Sequence, residues 1–511
     1  MSETNAPLKA VTPPRGGVYM LLFTAGLLAS LAMPPQGFVV FLLLFSICLW
    51  GMQRAATPLQ GALSWGVFAY GFYLPQLTWI REALFVDAEQ FGWLAIPAIL
   101  GIPLYLSLFM AMAGAVYAAL RPPLKYAAVT FAGLWGLTDY LQGHVAFSFP
   151  WAMPVYALDA VPILQQLHSV LGAYALNSLV VLWGCLPFLL LTKQWKQAVF
   201  WCICLFCALA WGQHRLNEYT NVSRETSGDI AIRLVQPNIE QHLKWDQTRV
   251  EENFYKVTAL IETPYLDTAK PPRLVVLPEA AIPLLLQNDA NARTELTKTL
   301  VPGVFLALGG HRFEAGEYFN SMLVLSSAAE IIAYYDKHHL VPFGEYVPLR
   351  NILPLEAIAP LPGDFGRGKG ALALKLAADM PRLWPLICYE AVFSGAVVTG
   401  NASDGVLVQI TNDAWFGRSA GPYQHLAIAR TRAIEEGLPM LRVANTGISA
   451  VIDPMGRIQA SLALGEAGVL DAVIPPVYPA LFPQYRWISW ALPLLLVSSA
   501  LILLARRSRH R

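Results

Sequence analysis

The sequence predicts a two-part architecture: a polytopic α-helical membrane domain of about eight transmembrane helices, joined to an extramembrane domain of interleaved strands and helices. Three observations carry this. The chain has 511 residues, 56% hydrophobic and only 14% charged, with a mean hydropathy of +0.47. It is too long for one domain and too apolar for an ordinary soluble protein. Its charges are uneven: 17–213 holds few, 214–486 reads as ordinary globular sequence, and 487–505 is apolar again. Between 229 and 475, short β-branched runs alternate with helical stretches, as in a layered α/β or α+β domain. The net charge of +1 argues against nucleic acid as a partner, since a phosphate-binding surface needs a large basic excess.

A bilayer core of roughly 30 Å takes about 20 apolar residues per helix. Segments that could span lie near 17–33, 38–53, 60–80, 91–119, 124–142, 161–192, 195–213 and 487–505. The first is not expected to be a cleaved signal, because no convincing small-residue site ends it and another apolar segment follows at once. Basic residues mark alternate loops: Lys9 and Arg15, Arg54, Arg121 and Lys125, Lys193 and Lys196, then Arg506, Arg507, Arg509 and Arg511. The intervening loops are nearly bare of them, except for Arg81 beside Glu82, Asp87 and Glu89. The positive-inside rule then places both termini in the cytoplasm and the domain after span seven outside, in the periplasm of a Gram-negative cell. The expected organisation is helices one to seven over 1–213, a linker over 214–228, the extramembrane domain over 229–475, and the last helix with its basic tail over 476–511. Phe147-Ser148-Phe149-Pro150-Trp151 reads as an interfacial aromatic anchor, with a contact surface as the alternative.

Within the extramembrane domain, strands are expected at Ile230–Val235, Leu274–Leu277, Val304–Leu308, Met322–Leu325, Ile331–Tyr335, Leu383–Cys388, Val406–Ile410, Met440–Val443 and Gly447–Ile452. The last is followed by the turn Asp453-Pro454-Met455-Gly456. Helices are expected over 246–262, 291–300 and 422–436. Several strands end in polar residues, and strand ends along one rim of a sheet are where layered folds assemble sites.

Five of the six cysteines, Cys48, Cys185, Cys202, Cys204 and Cys207, sit in long apolar runs and read as small buried hydrophobes. Cys388 alone lies in the globular part, at the end of a strand, with no disulfide partner there. A thiol of pKa about 8.5 needs help to act as a nucleophile at neutral pH. A carboxylate in an apolar setting can take its proton. An ammonium favours the thiolate and can stabilise a tetrahedral oxyanion. Glu279 after Leu277-Pro278, and Lys337 after Tyr334-Tyr335-Asp336, supply those two functions. His338 and His339 are then read as structural or surface residues. No metal site is expected from the cysteine spacing, and no cofactor.

The strings Val276-Leu277-Pro278-Glu279, Asp336-Lys337 through Glu345, Ile387-Cys388-Tyr389-Glu390 and Asn412-Asp413-Ala414-Trp415-Phe416-Gly417 resemble the nitrilase superfamily. That resemblance implies an αββα sandwich with a Glu-Lys-Cys triad. The continuation Cys388-Tyr389-Glu390-Ala391-Val392-Phe393 departs from the acidic Arg-Phe-Pro-Glu-like string of the soluble members. Such a domain placed between membrane helices, with Gln236-Pro237-Asn238 and Lys244-Trp245-Asp246, is similar to the apolipoprotein N-acyltransferase family over essentially the whole chain.

By resemblance, the catalytic residues are Glu279, Lys337 and Cys388. Glu345 orients Lys337 or forms a structural ion pair. Tyr389 and Glu390 lie near the acyl pocket, and Asn320 is a hydrogen bonder close to Lys337 or a turn residue. Trp245 and Trp415 line a lipid entrance or pack in the core. The implied partners are a phospholipid acyl donor, a diacylglyceryl apolipoprotein acceptor and the bacterial inner membrane, with the protein a monomer. Two rival readings are a membrane-tethered amidase using water as second nucleophile, and a transporter or receptor. The second calls for ionisable residues within the spans, of which Asp139 is a rare example.

Overall fold

The structure is a computed structural model, and it describes residues 16–145, 147–225, 230–244, 246, 248–266, 270–348, 364–400 and 404–508. The chain divides into two compact units. One comprises the residues up to Arg81, Trp93–His214 and those from Tyr485 onward; the other comprises Glu82–Gly92 and Arg215–Gln484.

The first unit is helical. Its longer helices are α1 (Gly16–Ala29), α2 (Phe45–Arg54), α3 (Pro58–Gln76), α4 (Ala95–Leu120), α5 (Leu124–His144), α6 (His168–Gly184), α7 (Trp195–Glu225, which runs on past this unit) and, at the C-terminal end, α11 (Ile488–Ser508). Thr57 caps α3 by accepting from the Gln60 N–H at 3.2 Å. Helices α3 and α4 approach closely at Gly61 and Gly114, where a Cβ on either would collide with the carbonyl of the other. Small residues at such a crossing let two backbones meet, the packing device that apolar helices use where lipid removes the hydrophobic drive.

Among the described residues, the helices at 88–120 and 195–223 are long and apolar enough to cross a bilayer. The other expected spans contain helix but are shorter, less apolar or interrupted. The stretch 161–192 is broken at Gly172, whose φ of 66° and ψ of 179° depart from the helix. The expected linker over 214–228 is instead the continuation of α7 as far as Glu225. Trp151, expected as an interfacial anchor, is buried against Trp79, their rings 4.8 Å apart.

The second unit holds two sheets. The first has strand order β11-β1-β2-β3-β4-β5, from Gly468–Val473, Ala231–Gln236, Leu274–Val276, Phe305–Glu314, Glu317–Ser326 and Ile331–Asp336. The second runs β10-β9-β8-β7-β6, from Ile458–Leu462, Ser449–Ile452, Met440–Ala444, Val406–Thr411 and Leu383–Ile387. Each sheet has three neighbouring parallel strands: β1-β2-β3, flanked on both sides by antiparallel strands, and β6-β7-β8, in which β6 is the sheet edge and the antiparallel β9 and β10 follow β8.

The period-two alternation of side chains sorts the apolar residues by face. Ile232, Leu234, Leu274, Val276, Met322 and Val324 of the first sheet pack with Val406, Val408, Ile410, Leu441 and Val443 of the second. The alternate residues Val275, Leu306, Leu308, Leu323 and Leu325 pack outward against α8 (Val250–Ile261) and α9 (Ala290–Thr297). Leu386, Leu407, Met440 and Ala450 pack outward against α10 (Gly421–Glu436). The unit is therefore an αββα sandwich, with one apolar layer between the sheets and one under each helical layer. Strands β10 and β11 were not among the expected ones; both are edge strands without a fully buried face.

Candidate active site

Glu279 and Lys337 come from the first sheet. Beyond β2 the chain keeps pairing with β3: the Leu277 N–H donates to the Ala307 carbonyl at 2.9 Å and the Ala281 N–H to the Gly309 carbonyl at 3.1 Å. This carries Glu279 over β3 at Gly309, where a Cβ would lie 2.5 Å from the Glu279 Cα and 2.7 Å from the Ala280 N. Only glycine admits that approach. Lys337 follows β5 directly, its N–H donating to the Asn320 carbonyl on β4 at 2.9 Å.

Both side chains are buried and meet in one ionic cluster. Lys337 Nζ donates to Glu345 Oε1 at 2.8 Å and to Glu279 Oε1 at 3.3 Å. Asn320 Nδ2 donates to the same two oxygens, at 2.7 Å to Glu279 and 2.8 Å to Glu345. The second oxygen of Glu279 accepts from the Asn412 N–H at 2.9 Å, and that of Glu345 from the Val341 N–H at 2.8 Å. Burial pushes the Lys337 ammonium down, but the Glu279 and Glu345 carboxylates outweigh it and hold it above the ordinary lysine value. Lys337 is thus a permanent cation at physiological pH.

Cys388 comes from the second sheet, as the residue after β6. Its φ is +51°, a left-handed conformation that costs a non-glycine residue about 1 kcal/mol or more. The bend stops the strand and turns the chain into the short 3-10 turn Cys388–Val392. Burial and the Glu279 charge push the thiol above its ordinary value, against the opposing pull of Lys337. The resting sulfur is therefore a thiol, and Glu279 is the charged group that acts on it most strongly.

Glu390 ties this turn to the other sheet. One carboxylate oxygen accepts from the Ile387 N–H at 2.8 Å. The other accepts from the His338 N–H at 2.8 Å and the Tyr335 hydroxyl at 2.9 Å, with His338 Nδ1 2.6 Å away. Burial raises this carboxyl, but His338 and the backbone donors bring it below the usual value. His338, His339 and Glu390 could geometrically share a metal ion. Glu390 is already saturated with N–H and O–H donors, so the group fits a hydrogen-bonded bracket rather than a ligand set.

The structure thus brings Glu279, Lys337, Glu345 and Asn320 into direct contact, with Glu390 bracketing the Cys388 turn. Tyr389 is buried, its ring edge-on to Phe393 at 5.2 Å. Trp415 sits partly buried on the 3-10 turn Asp413–Phe416, and Trp245 lies outside the described residues. Sequence reasoning missed Lys244 as a site residue. It is buried, its Nζ donates to the Glu279 carbonyl at 3.2 Å, and burial lowers its pKa to about 8 despite the raising effect of Glu279. Its signal was its place in the Lys244-Trp245-Asp246 string. Gln409, His425 and Arg442 were missed too.

Two family models match the chain: Carbon-nitrogen hydrolase over residues 231–480, and Apolipoprotein N-acyltransferase N-terminal domain over residues 25–186. Among curated proteins, the apolipoprotein N-acyltransferase of Brucella melitensis is 35% identical over 517 residues, covering 96% of each chain. That of Rhodopseudomonas palustris is 34% identical over 517 residues, covering 96% of this chain and 95% of the relative. Among solved structures, a CN-hydrolase superfamily protein of Xanthomonas campestris aligns with 51% of this chain and 96% of its own, at 21% identity and a TM-score of 0.37. With relatives this similar over nearly its full length, the chain belongs to the apolipoprotein N-acyltransferase family and is an acyltransferase.

Proposed function

We propose that the protein transfers an acyl chain from the sn-1 position of a phospholipid, preferably phosphatidylethanolamine, to the α-amino group of the diacylglyceryl-cysteine at a lipoprotein N-terminus. The observation that carries the mechanism is the buried cluster of Glu279, Lys337 and Glu345, of which Glu279 and Lys337 act on the Cys388 thiol. In the first half-reaction Glu279 takes the Cys388 proton as the sulfur attacks the ester carbonyl. Lys337 and a backbone N–H beside Cys388 stabilise the oxyanion. The carbon–oxygen bond breaks, the proton passes from Glu279 to the departing oxygen, and a lysophospholipid leaves a thioester behind. In the second, the acceptor amine attacks the thioester and loses its proton through Glu279 to the sulfur. The amide forms as the carbon–sulfur bond breaks. Glu345 and Asn320 hold the cation and the base in register, while Tyr389 lies near the acyl pocket and Trp415 at the lipid entrance.

A bilayer setting follows from the same reading. Helix α7 exposes Val199, Ile203 and Phe206 at 56, 56 and 71%, surface that lipid would cover. Eight crossings, with both termini cytoplasmic and the catalytic domain outside, satisfy the distribution of basic residues. The protein would act as a monomer in the bacterial inner membrane, without a cofactor.

The test is mass spectrometry of the purified full chain after incubation with phosphatidylethanolamine. An acyl adduct is expected on the peptide carrying Cys388, stable until an amine acceptor is added and absent from Cys388→Ala. Rapid loss of the adduct to water without an acceptor would favour the membrane-tethered amidase instead.

A further inference from the structure

Behind the nucleophile, the second sheet contains a polar cluster for which the proposed chemistry has no use. Gln409 and Thr411 on β7, Arg442 on β8, Asp413 after β7 and His425 on α10 are all fully buried. Charges so placed persist only when paired and hydrogen-bonded, and here every link is made. Arg442 Nη2 donates to Asp413 Oδ2 at 2.6 Å, and Nη1 to Gln409 Oε1 at 2.6 Å. Asp413 Oδ1 accepts from Thr411 Oγ1 and lies 2.9 Å from His425 Nδ1.

Donor and acceptor counting fixes the orientation of each group. Arginine only donates, so the atom of Gln409 facing Arg442 is its oxygen, and its nitrogen points the other way. Burial pushes the Asp413 carboxyl up, but Arg442 and His425 outweigh it and keep it ionised. An ionised carboxylate only accepts, so His425 carries a proton on Nδ1. Burial and Arg442 lower the imidazole against the raising effect of Asp413 and of the hydrogen bonds to Asp413 and Cys388, and the Gln409 amide nitrogen facing its Nε2 requires a lone pair there. Gln409 Nε2 lies 3.1 Å from that lone pair and 3.2 Å from the Cys388 carbonyl oxygen. One amide hydrogen goes to each. His425 Nε2 is itself 3.1 Å from the Cys388 oxygen, but without a proton it cannot hold that carbonyl. Gln409 is the side chain of this cluster that does.

That carbonyl belongs to the residue forced to a φ of +51°. A trans peptide is planar, so fixing the Cys388 oxygen fixes the N–H of the following residue on the opposite side of the plane. We propose that Gln409, oriented by Arg442 and His425, is a positioning residue: it locks the peptide plane after Cys388 and so aims the backbone N–H that meets the oxyanion. This rests on the thioester reading above.

The test compares two reactions of the same sulfur in the full-length protein. Acylation by phosphatidylethanolamine passes through an oxyanion, whereas alkylation by iodoacetamide does not. Both require the same thiol to lose its proton, and Glu279 is intact in each variant, so their rate ratio discounts a change in thiol acidity. Gln409→Met removes the donor at similar volume. Gln409→Glu keeps the Arg442 partner and serves where the methionine variant does not fold. In the folded variant the acylation-to-alkylation ratio should fall about 10- to 100-fold, with the apparent KM for phospholipid unchanged; loss of a single oxyanion donor costs about 100-fold or more. An unchanged ratio, or a loss carried wholly in KM, would overturn the assignment of Gln409. A wild-type protein that alkylates but never acylates would instead refute the thioester reading.

Discussion

Asn320 Nδ2 donates at 2.7 Å to Glu279 and at 2.8 Å to Glu345, so one amide group brackets two carboxylates. Carboxylates only accept, which settles the direction of the amide and explains why its oxygen is left without a hydrogen bond among the described residues. Asn320→Asp would set a third carboxylate against these two. It should lower acyl transfer by about 100-fold, whereas Asn320→Ser, which retains one donor, should lose about 10-fold. Single-turnover adduct formation on Cys388 measures both.

The charges around Cys388 act on its thiol in opposite directions. Burial is the largest reason its pKa is raised, the Glu279 carboxylate adds to that, and Lys337 opposes it. Alkylation of the wild-type thiol should therefore keep rising with pH beyond the ordinary cysteine range. Glu279→Gln removes the negative charge, so alkylation at pH 8 should become faster even though acyl transfer falls by about 1,000-fold or more. Lys337→Met should slow both. A Glu279→Gln protein that alkylates more slowly than wild type would contradict the arrangement.

Neighbouring glycines of β3 provide a matched pair. A Cβ at Gly309 meets backbone atoms of Glu279 and Ala280, which cannot step aside, whereas a Cβ at Gly310 meets only Leu323 Cδ1 at 3.7 Å. Gly309→Ala should destabilise the protein by about 1–3 kcal/mol and cost activity beyond what the stability loss explains, because it displaces Glu279. Gly310→Ala should be close to wild type. Thermal midpoints and initial rates on the same preparations decide it.

Lys244 links stability to pH. Its folded pKa, lowered by burial to about 8, lies below the ordinary lysine value. Between the two the unfolded chain binds more protons than the folded one, so stability rises as pH increases from about 8 towards 10.5. At neutral pH the buried charge costs on the order of 3 kcal/mol. Lys244→Met should raise the thermal midpoint at pH 7 and flatten its dependence on pH above 8.

Glu279, Lys337 and Cys388 could be singled out in the sequence because each directly follows or closely trails an apolar strand, and the strings around them are local. Gln409, His425 and Arg442 could not be read that way. Gln409 and Arg442 interrupt otherwise apolar strands by a single residue each, and His425 lies in a helix rich in Ala and Arg, so only the pairing of β7 with β8 brings them together. The same limit hid β10 and β11, whose edge positions leave no face fully buried to imprint an apolar alternation. The expected linker at 214–228 failed for a different reason. A drop in hydropathy marks where a helix becomes polar, and α7 simply continues as a polar helix.

Glu279, Lys337 and Cys388 are divided between two sheets, and the division is ordered along the chain. Glu279 and Lys337 belong to the sheet whose central strands are made first, and Cys388 to the one made last. A ribosome-bound fragment ending before residue 388 holds Glu279 and Lys337 without the cysteine. One released after it holds a thiol with no assembled partners until the sandwich closes. The three side chains can therefore meet only in the closed sandwich, however early Glu279 and Lys337 are made.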